Sequence, residues 1–232
     1  DFDLNASQPV SLVYDDVVLE NPILKGFPVF DLERVEVLRG PQGTLFGRNT
    51  LGGAVLITPQ GPKQDFGGYV QGTYGNFDYR EVQGALNLPL VPDVLAIRVA
   101  GQIRRSDPLI YSINGGAGFN NIHQDSARAT IAFTPNDWLE NTTVVDYFKA
   151  KEYGSGYYLL RQNFSFTNLF APSLGPVAGG IVGGSLDAQT TGYLAQQQQN
   201  FYGAFTDSSG TGRANRRAFG ISNDTSATFG DF

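Results

Sequence analysis

The sequence predicts a mainly β protein built from antiparallel strands, and three observations support this prediction. The 232 residues include 29 Gly, 17 Phe and 11 Tyr, a mixture typical of β structure with glycine-rich turns and aromatic rims. Apolar and polar residues alternate with a period of two over several segments of about ten residues. From the second segment onward the connections are alternately short and long, which is the pattern of strands that cross a bilayer as a barrel. The first join, at Gly75 and Asn76, is short although this pattern predicts a long one.

The alternation is clearest from Glu81 to Leu90, where Val82, Leu86 and Leu88 fall on one face. Runs of this length suffice for a tilted strand to span a bilayer. The joins at 91–93 and 134–137 are short, whereas those at 106–124 and about 151–215 are long. The pattern predicts six strands, namely Phe66–Gly75, Glu81–Leu90, Leu95–Arg104, Ser126–Thr134, Trp138–Lys149 and Arg217–Phe229.

Alternation does not say which face of a strand is buried, so a soluble β-sandwich stays open as an alternative. The polar face carries five charged residues, which suit either the exterior of a sandwich or a watery lumen: Glu81, Arg98, Arg104, Arg128 and Asp146. Aromatic residues lie near the ends of several strands, where interfacial girdles belong in a membrane barrel.

The N-terminal part has a different sequence pattern, which predicts a small mixed α/β domain over residues 1–62. Its short apolar runs are interrupted by Pro, Gly and Asn: Val10–Val13, Val17–Leu19, Val35–Leu38 and Ala54–Thr58. Asp31 to Arg34 predicts a short helical turn with Asp31 as its N-cap. Residues 63–232 then form the predicted strand region, with a long extracellular loop at about 151–215.

Composition excludes several classes of function. A net charge of -6 and a pI near 4.7 argue against nucleic acid as a partner, because binding phosphates needs a basic face. The absence of Cys excludes a disulfide framework and any thiolate metal or redox centre. His123 is the only histidine and suits a solvated loop better than a metal site. No catalytic motif and no metal site are therefore predicted, and the protein is not expected to be an enzyme.

Residues 32–58 form a dense motif of glycines and charges. Glycine permits positive φ and close backbone approach, and the alternating charges can pair with one another or with charged groups facing them. The glycine spacing does not fit a dinucleotide-binding turn. The motif residues are Glu33, Arg34, Glu36, Arg39, Gly40, Pro41, Gly43, Gly47, Arg48, Gly52 and Gly53.

This motif resembles the C-terminal part of the plug domain of TonB-dependent receptors, and Gly67–Val70 with Tyr74–Phe77 resembles the first barrel strand and its turn. The resemblance implies a partial plug followed by about six of the about 22 strands of such a barrel. Six strands cannot close a membrane barrel, since an open edge in lipid leaves backbone groups unpaired. We therefore expect a chain truncated at both ends, consistent with a first residue, Asp1, that is not Met.

The resemblance also implies a function. Such a receptor lies in the outer membrane of a Gram-negative bacterium with its plug facing the periplasm, among outer-membrane lipid and lipopolysaccharide. It binds a scarce nutrient, most often a ferric siderophore and otherwise cobalamin, haem or an oligosaccharide, and a TonB energy-coupling complex drives release. The TonB-contacting peptide is not expected in this chain. No intrinsic cofactor is implied, and any iron belongs to the transported ligand.

Candidate contacts follow from the same resemblance. The motif residues are expected to join plug and barrel, and the loop aromatics Tyr157, Tyr158 and Phe164 are expected to contact ligand. Two alternatives remain open at this point. A passive porin would share the strands but lack the plug motif, and a soluble β-sandwich lectin or adhesin would use residues 151–215 as its binding surface.

Overall fold

A computed structural model describes residues 9–19, 28–47, 49–112, 117–154, 165, 185–192, 194–195, 199, 203–204 and 213–229. Its strands form a four-stranded N-terminal sheet, a six-stranded sheet that we call the wall sheet, and one short pair. The N-terminal sheet lies against one face of the wall sheet. This arrangement places the candidate site between the two.

The N-terminal sheet is mixed, with the order β2-β1-β4-β3. Strands β1 and β4 run parallel, while β2 pairs with β1 and β3 with β4 in antiparallel fashion. The four apolar runs seen in the sequence fall in these four strands. The elements are β1 (Val10–Tyr14), β2 (Val17–Leu19), β3 (Leu32–Arg39), the short helix α1 (Gly43–Phe46) and β4 (Gly53–Pro59).

The predicted helical turn at Asp31–Arg34 is wrong. Leu32 already pairs with Pro59, and β3 continues along β4 as far as Arg39 opposite Gly53. Asp31 itself has a positive φ of 49° and lies just outside the strand. Extended pairing with β4 satisfies the backbone of this segment, so a helical turn is not needed there.

The wall sheet is entirely antiparallel, with the order β12-β10-β9-β7-β6-β5. All six predicted strands are present, and most are longer than predicted. They are β5 (Gly67–Gly75), β6 (Tyr79–Val91), β7 (Leu95–Ser106), β9 (Ile122–Asn136), β10 (Leu139–Tyr153) and β12 (Arg213–Ala227). Two short strands lie in the long connections, β8 (Tyr111–Ser112) and β11 (Gly203–Ala204), and they pair in parallel.

The short joins are tight turns. Phe77 and Asp78 between β5 and β6 both have positive φ, at 58° and 50°, as a type I′ hairpin turn requires. Asp93 has φ 59° between β6 and β7, where the Val94 amide donates to the Val91 carbonyl at 3.1 Å. The Asn136 side chain accepts from the Leu139 amide at 3.0 Å between β9 and β10.

The two long connections contact each other at the end of the sheet that also carries the β5–β6 turn, opposite the β6–β7 and β9–β10 turns. The Asn120 amide donates to the Gly154 carbonyl at 3.2 Å, and the Tyr153 amide donates to Asn121 Oδ1 at 2.7 Å. Strands β10 and β12 include residues 151–153 and 213–215, which we predicted as loop, and residues 185–192 are helical. Tyr157, Tyr158 and Phe164 lie outside the described residues.

The two faces of the wall sheet differ in chemistry. The outer face exposes large apolar side chains, including Val70, Val82, Val99, Ile103, Phe219 and Ile221. The inner face buries small, polar and charged residues, including Asn87, Arg98, Gln102, Arg128, Thr130 and Asp146. A soluble sandwich buries its apolar face, so this sheet has the opposite polarity. An apolar outside with a polar inside is the arrangement of a membrane barrel wall.

Candidate functional site between the N-terminal sheet and the wall sheet

A buried ion pair joins Asp31 of the N-terminal part to Arg98 at the centre of β7. Arg98 donates from Nε to Asp31 Oδ2 at 2.8 Å and from Nη2 to Asp31 Oδ1 at 2.6 Å. The side chains are only 10% and 3% exposed. A bidentate arginine–carboxylate pair fixes orientation as well as distance, so this contact sets how the N-terminal sheet sits on the wall.

Arg128 of β9 forms a second contact two strand positions away on the inner face. Its side chain is 1% exposed, and its Nε donates to Asp146 Oδ1 of β10 at 2.9 Å. Its Nη1 donates to the carbonyl of Phe30 at 3.1 Å, and its Nη2 donates to the Tyr14 hydroxyl. The guanidinium also lies over the Phe30 ring, 4.7 Å from the centroid. One wall cation thus holds two segments of the N-terminal sheet.

Tyr14 completes this cluster from the end of β1. Its hydroxyl donates to Asp146 Oδ1 at 3.3 Å while it accepts from Arg128. Burial raises the pKa of the Tyr14 phenol well above its ordinary value, and the positive charge of Arg128 opposes that shift only in part. The hydroxyl therefore keeps its proton at neutral pH and can serve as donor and acceptor at once.

An apolar contact, and hydrogen bonds that hold the segment before β5, add to these polar contacts. Phe30 packs between Ala85 and Ala100, whose small side chains leave room for the ring. Asn87 of β6 holds the connection to β5 by donating from Nδ2 to the carbonyls of Lys63 at 2.6 Å and Asp65 at 2.5 Å. The link between the two sheets is therefore fixed to the wall.

The contact near β12 is looser. Ser222 donates to Asp15 Oδ2 at 2.8 Å, but a cavity of about 160 Å³ lies beside this hydrogen bond, lined by Tyr14, Leu19, Asp146 and residues 218–222. The N-terminal sheet is held tightly at β7 and β9 and less closely at β12.

Further polar groups extend along the inner face toward the long connections. Arg104 lies 3.7 Å from Glu81, and Gln124 donates to Glu152 Oε1 at 2.7 Å. Arg216 of β12 donates to Glu152 Oε2 at 2.6 Å. These groups form a continuous polar lining across five strands, and each inward arginine among them has a carboxylate partner.

The residues of the predicted motif occupy the N-terminal sheet and its turn. Gly40 has φ 85° and Gly47 has φ 72°. Pro41 lies in the turn that leads into α1, and Gly43 is the first residue of that helix. Gly53 has φ 143°, and a Cβ there would overlap the Leu38 carbonyl oxygen, so only glycine fits. A Cβ on Gly52 would lie 3.2 Å from the Pro9 carbonyl oxygen.

The motif charges lie on the exposed side of β3. Arg34 donates to Glu36 at 3.0 Å and to Glu33 at 3.5 Å, and all three side chains are about half exposed. Arg39 ends the strand, and Arg48 lies outside the described residues. Contact of these charges with barrel strands stays a prediction.

Sequence reasoning missed three residues that hold the interface, namely Tyr14, Phe30 and Asp31. The wall residues Arg98, Arg128 and Asp146 were assigned to the polar face, but whether that face is buried and which groups it contacts were left open. A signal did exist in the sequence, because two arginines at the centres of adjacent strands need buried acceptors if anything covers them. It could not identify the acceptors in the N-terminal part, which lie 67 to 114 positions away from the arginines.

Comparisons with known proteins agree with this geometry. Residues 3–54 match the TonB-dependent Receptor Plug Domain. The ferric enterobactin receptor of Pseudomonas aeruginosa is 35% identical over 97 residues, which are 38% of this chain and 13% of that protein. The ferrioxamine B receptor of Salmonella typhimurium is 38% identical over 77 residues, 33% of this chain and 11% of that protein. The crystal structure of the ferric yersiniabactin uptake receptor of Yersinia pestis superposes with a TM-score of 0.62 at 23% identity, covering 66% of this chain and 24% of that one.

These matches support a fragment of a TonB-dependent receptor. The plug match ends at residue 54, within β4, and the solved structure shows the fold of the matched part. The relatives are outer-membrane receptors of Gram-negative bacteria, a family whose plug faces the periplasm. The chain spans only about an eighth of the length of the curated relatives that it matches.

Two features are absent from the residues that the structure describes. No described helix is long and apolar enough to cross a membrane. No group of three or more His, Asp or Glu side chains among the described residues could hold a metal ion.

Proposed function

We propose that the receptor containing this chain takes up a ferric siderophore across the outer membrane, with energy supplied by a TonB complex. The relatives support the substrate class, since they include receptors for ferric enterobactin and ferrioxamine B. In this proposal the iron arrives with the ligand. The protein itself binds, releases and conducts the ferric siderophore, without a catalytic residue or an intrinsic cofactor.

One observation carries the proposal. The inner face of the wall sheet is occupied by the N-terminal sheet, which it holds by a few directed contacts centred on Arg98 and Arg128. A passive porin requires an open lumen, which this face does not offer. Polar contacts of this kind fix one position strongly and are lost together when the partner moves, because a guanidinium needs its acceptors at specific distances and angles.

Within this proposal the chain divides into plug over residues 1–62 and barrel over 63–232. The motif charges Glu33, Arg34, Glu36, Arg39 and Arg48 would contact barrel strands. Tyr157, Tyr158 and Phe164 would contact the ligand from the long connection. The apolar outer face would lie against outer-membrane lipid and lipopolysaccharide.

Growth under iron limitation tests the proposal. A strain lacking the complete gene should fail to grow on one ferric siderophore, and it should recover when the gene is restored. Uptake of radioactive iron on that siderophore should stop when TonB is inactivated.

Three results would count against the proposal. Uptake that persists without TonB would favour a passive channel. Growth defects restricted to cobalamin, haem or an oligosaccharide would assign a different substrate. Recovery of the protein in the aqueous fraction without detergent would return the soluble β-sandwich to consideration.

A further inference from the structure

Four basic residues cluster on the outer face of the wall sheet, at the end that carries the long connections. We call this cluster the outer basic patch: Lys149, Lys151, Arg213 and Arg217. The strand register brings them together, because Lys149 lies opposite Arg217, and Arg213 lies opposite Tyr153 next to Lys151. Successive outward positions on a strand are about 7 Å apart, so the patch covers about 13 Å along β10 and β12.

Among the residues that the structure describes, none forms an ion pair with any of the four cations of the outer basic patch. The inward cations on the same strands behave differently, since Arg216 pairs with Glu152 at 2.6 Å and Arg128 pairs with Asp146 at 2.9 Å. This contrast is notable in a chain whose net charge is -6.

The nearest acidic side chain on this face is Asp125 of β9, directly opposite Lys149. Asp125 is already paired with Arg105 of β7, whose guanidinium also donates to the Gln124 carbonyl at 2.6 Å. Arg105 thus extends the positive surface to a third strand, while Asp125 offsets one charge. Five cations and one carboxylate leave the region strongly positive.

Apolar side chains adjoin the outer basic patch on the side away from the long connections. Tyr147 lies opposite Phe219, and Val145 lies opposite Ile221, one and two outward positions beyond Lys149 and Arg217. Phe219 and Ile221 are 67% and 64% exposed. The same two strands therefore present an apolar surface and, directly beside it, unpaired cations.

We propose that the outer basic patch binds the phosphate groups of a membrane lipid whose acyl chains lie along Tyr147, Phe219 and Ile221. The long connections mark the extracellular end, so the lipid belongs to the outer leaflet and has the chemistry of lipopolysaccharide, with phosphate at the head and several acyl chains. Arg213 and Arg217 can each engage a phosphate through two N–H groups, and the lysines add point charges. The apolar contact distinguishes this lipid from a free phosphate ion.

Lipid retention by the complete receptor tests this proposal. Native mass spectrometry of the receptor released from detergent micelles counts bound lipopolysaccharide. One cation near a charged lipid surface is worth about a fivefold change in affinity. Lys151→Gln with Arg217→Gln should therefore weaken retention about 25-fold.

The matched control is Lys149→Arg with Lys151→Arg, which keeps both charges and should retain lipid like the unchanged receptor. Unchanged heat-modifiable migration on gels would show that each variant is folded.

Two outcomes overturn the proposal. Equal retention by the patch variant and the control would mean that these cations do not bind lipid. Complete displacement of the lipid by millimolar inorganic phosphate would mean a free-anion site instead. Because the readout is lipid binding, either failure leaves the iron-uptake assay of the proposed function unaffected.

Discussion

At the scale of single residues, Arg98 and Arg128 decide how the N-terminal sheet is held. Removing a guanidinium from water costs several kcal/mol, and only well-aligned acceptors offset that cost. Asp31 supplies both of its carboxylate oxygens to Arg98, while Arg128 is shared by Asp146, Tyr14 and a backbone carbonyl. Such pairs add little net stability compared with an apolar contact, but losing one partner leaves a buried charge without its counter-charge. The interface is therefore specific and sensitive to single substitutions.

The substitution Asp31→Asn should weaken docking of the N-terminal sheet by about 3 to 5 kcal/mol, because it leaves the Arg98 charge buried without a counter-charge. Hydrogen exchange of the β1 and β4 amides in the complete receptor measures this opening free energy. Glu36→Gln is the matched control, since its exposed pair with Arg34 is worth about 0 to 1 kcal/mol. Similar exchange in the two variants would contradict a supporting role for the buried pair.

The buried hydroxyl of Tyr14 predicts a dependence on alkaline pH. Burial raises the pKa of Tyr14, so the folded state favours the protonated phenol. Its contribution is then complete below the ordinary tyrosine pKa of about 10 and is lost as pH rises from there toward the folded-state value. Near pH 8, Tyr14→Phe should reduce docking stability by about 0.5 to 1.5 kcal/mol through the lost hydrogen bonds.

The difference between the unchanged receptor and Tyr14→Phe should shrink as the pH is raised from 8 to 11, measured by the same exchange experiment. Tyr74→Phe, at an exposed tyrosine on the outer face, controls for loss of a hydroxyl alone. A difference that stays constant up to pH 11 would show that Tyr14 does not carry this pH dependence.

At the scale of elements, the turn from β3 into β4 depends on backbone conformations that only glycine adopts easily. Gly40 has φ 85° as β3 ends, and its amide donates to the Gly52 carbonyl at 3.2 Å. Gly53 has φ 143° as β4 begins, between Arg39 of β3 and Val10 of β1. Any side chain at Gly53 would push against the Leu38 carbonyl and so separate β4 from β3.

Gly53→Ala should therefore destabilise the N-terminal sheet. A strained φ alone costs about 1 to 3 kcal/mol, and the overlap with the Leu38 carbonyl oxygen adds to that cost. Gly61→Ala serves as its control, because a Cβ at Gly61 meets nothing within 4 Å. Limited proteolysis of the two variants in the same detergent would compare them. Equal cleavage rates within β3 and β4 would refute the expected role of Gly53.

The elements also show how far the sequence could predict this fold. The wall strands were predictable because alternation along Glu81–Leu90 reproduces the two faces of a pleated strand directly. The extended conformation after Asp31 was not predictable, because Asp is a good N-cap in isolation. Only the distant Arg98 and the pairing with β4 favour the extended form over a helical turn. Long-range pairing of charges leaves no local pattern, so the contacts of Tyr14 and Phe30 could not be predicted.

At the scale of the whole molecule, the polarity of the wall sheet determines where the protein can be stable. Its outer face is apolar over the middle of the strands and basic near the long connections, while its inner face carries charges that the N-terminal sheet covers. In water the outer face would be an aggregation surface, because apolar patches of this extent are normally covered. In a bilayer the same face is the favourable one.

Charge placement on the two faces tests this polarity. Val99 lies on the outer face of the central strand β7 and is 46% exposed, whereas Gln71 lies on the inner face of β5 and is also exposed. In a bilayer, Val99→Lys should cost about 2 to 4 kcal/mol near the midplane, while Gln71→Lys on the lumen side should cost little. The folded fraction of the complete receptor in lipid vesicles, titrated with urea, measures both. A soluble sandwich would tolerate a lysine at any exposed position, so equal stability of the two variants would contradict the membrane orientation. A larger loss of folding stability for Val99→Lys would support it.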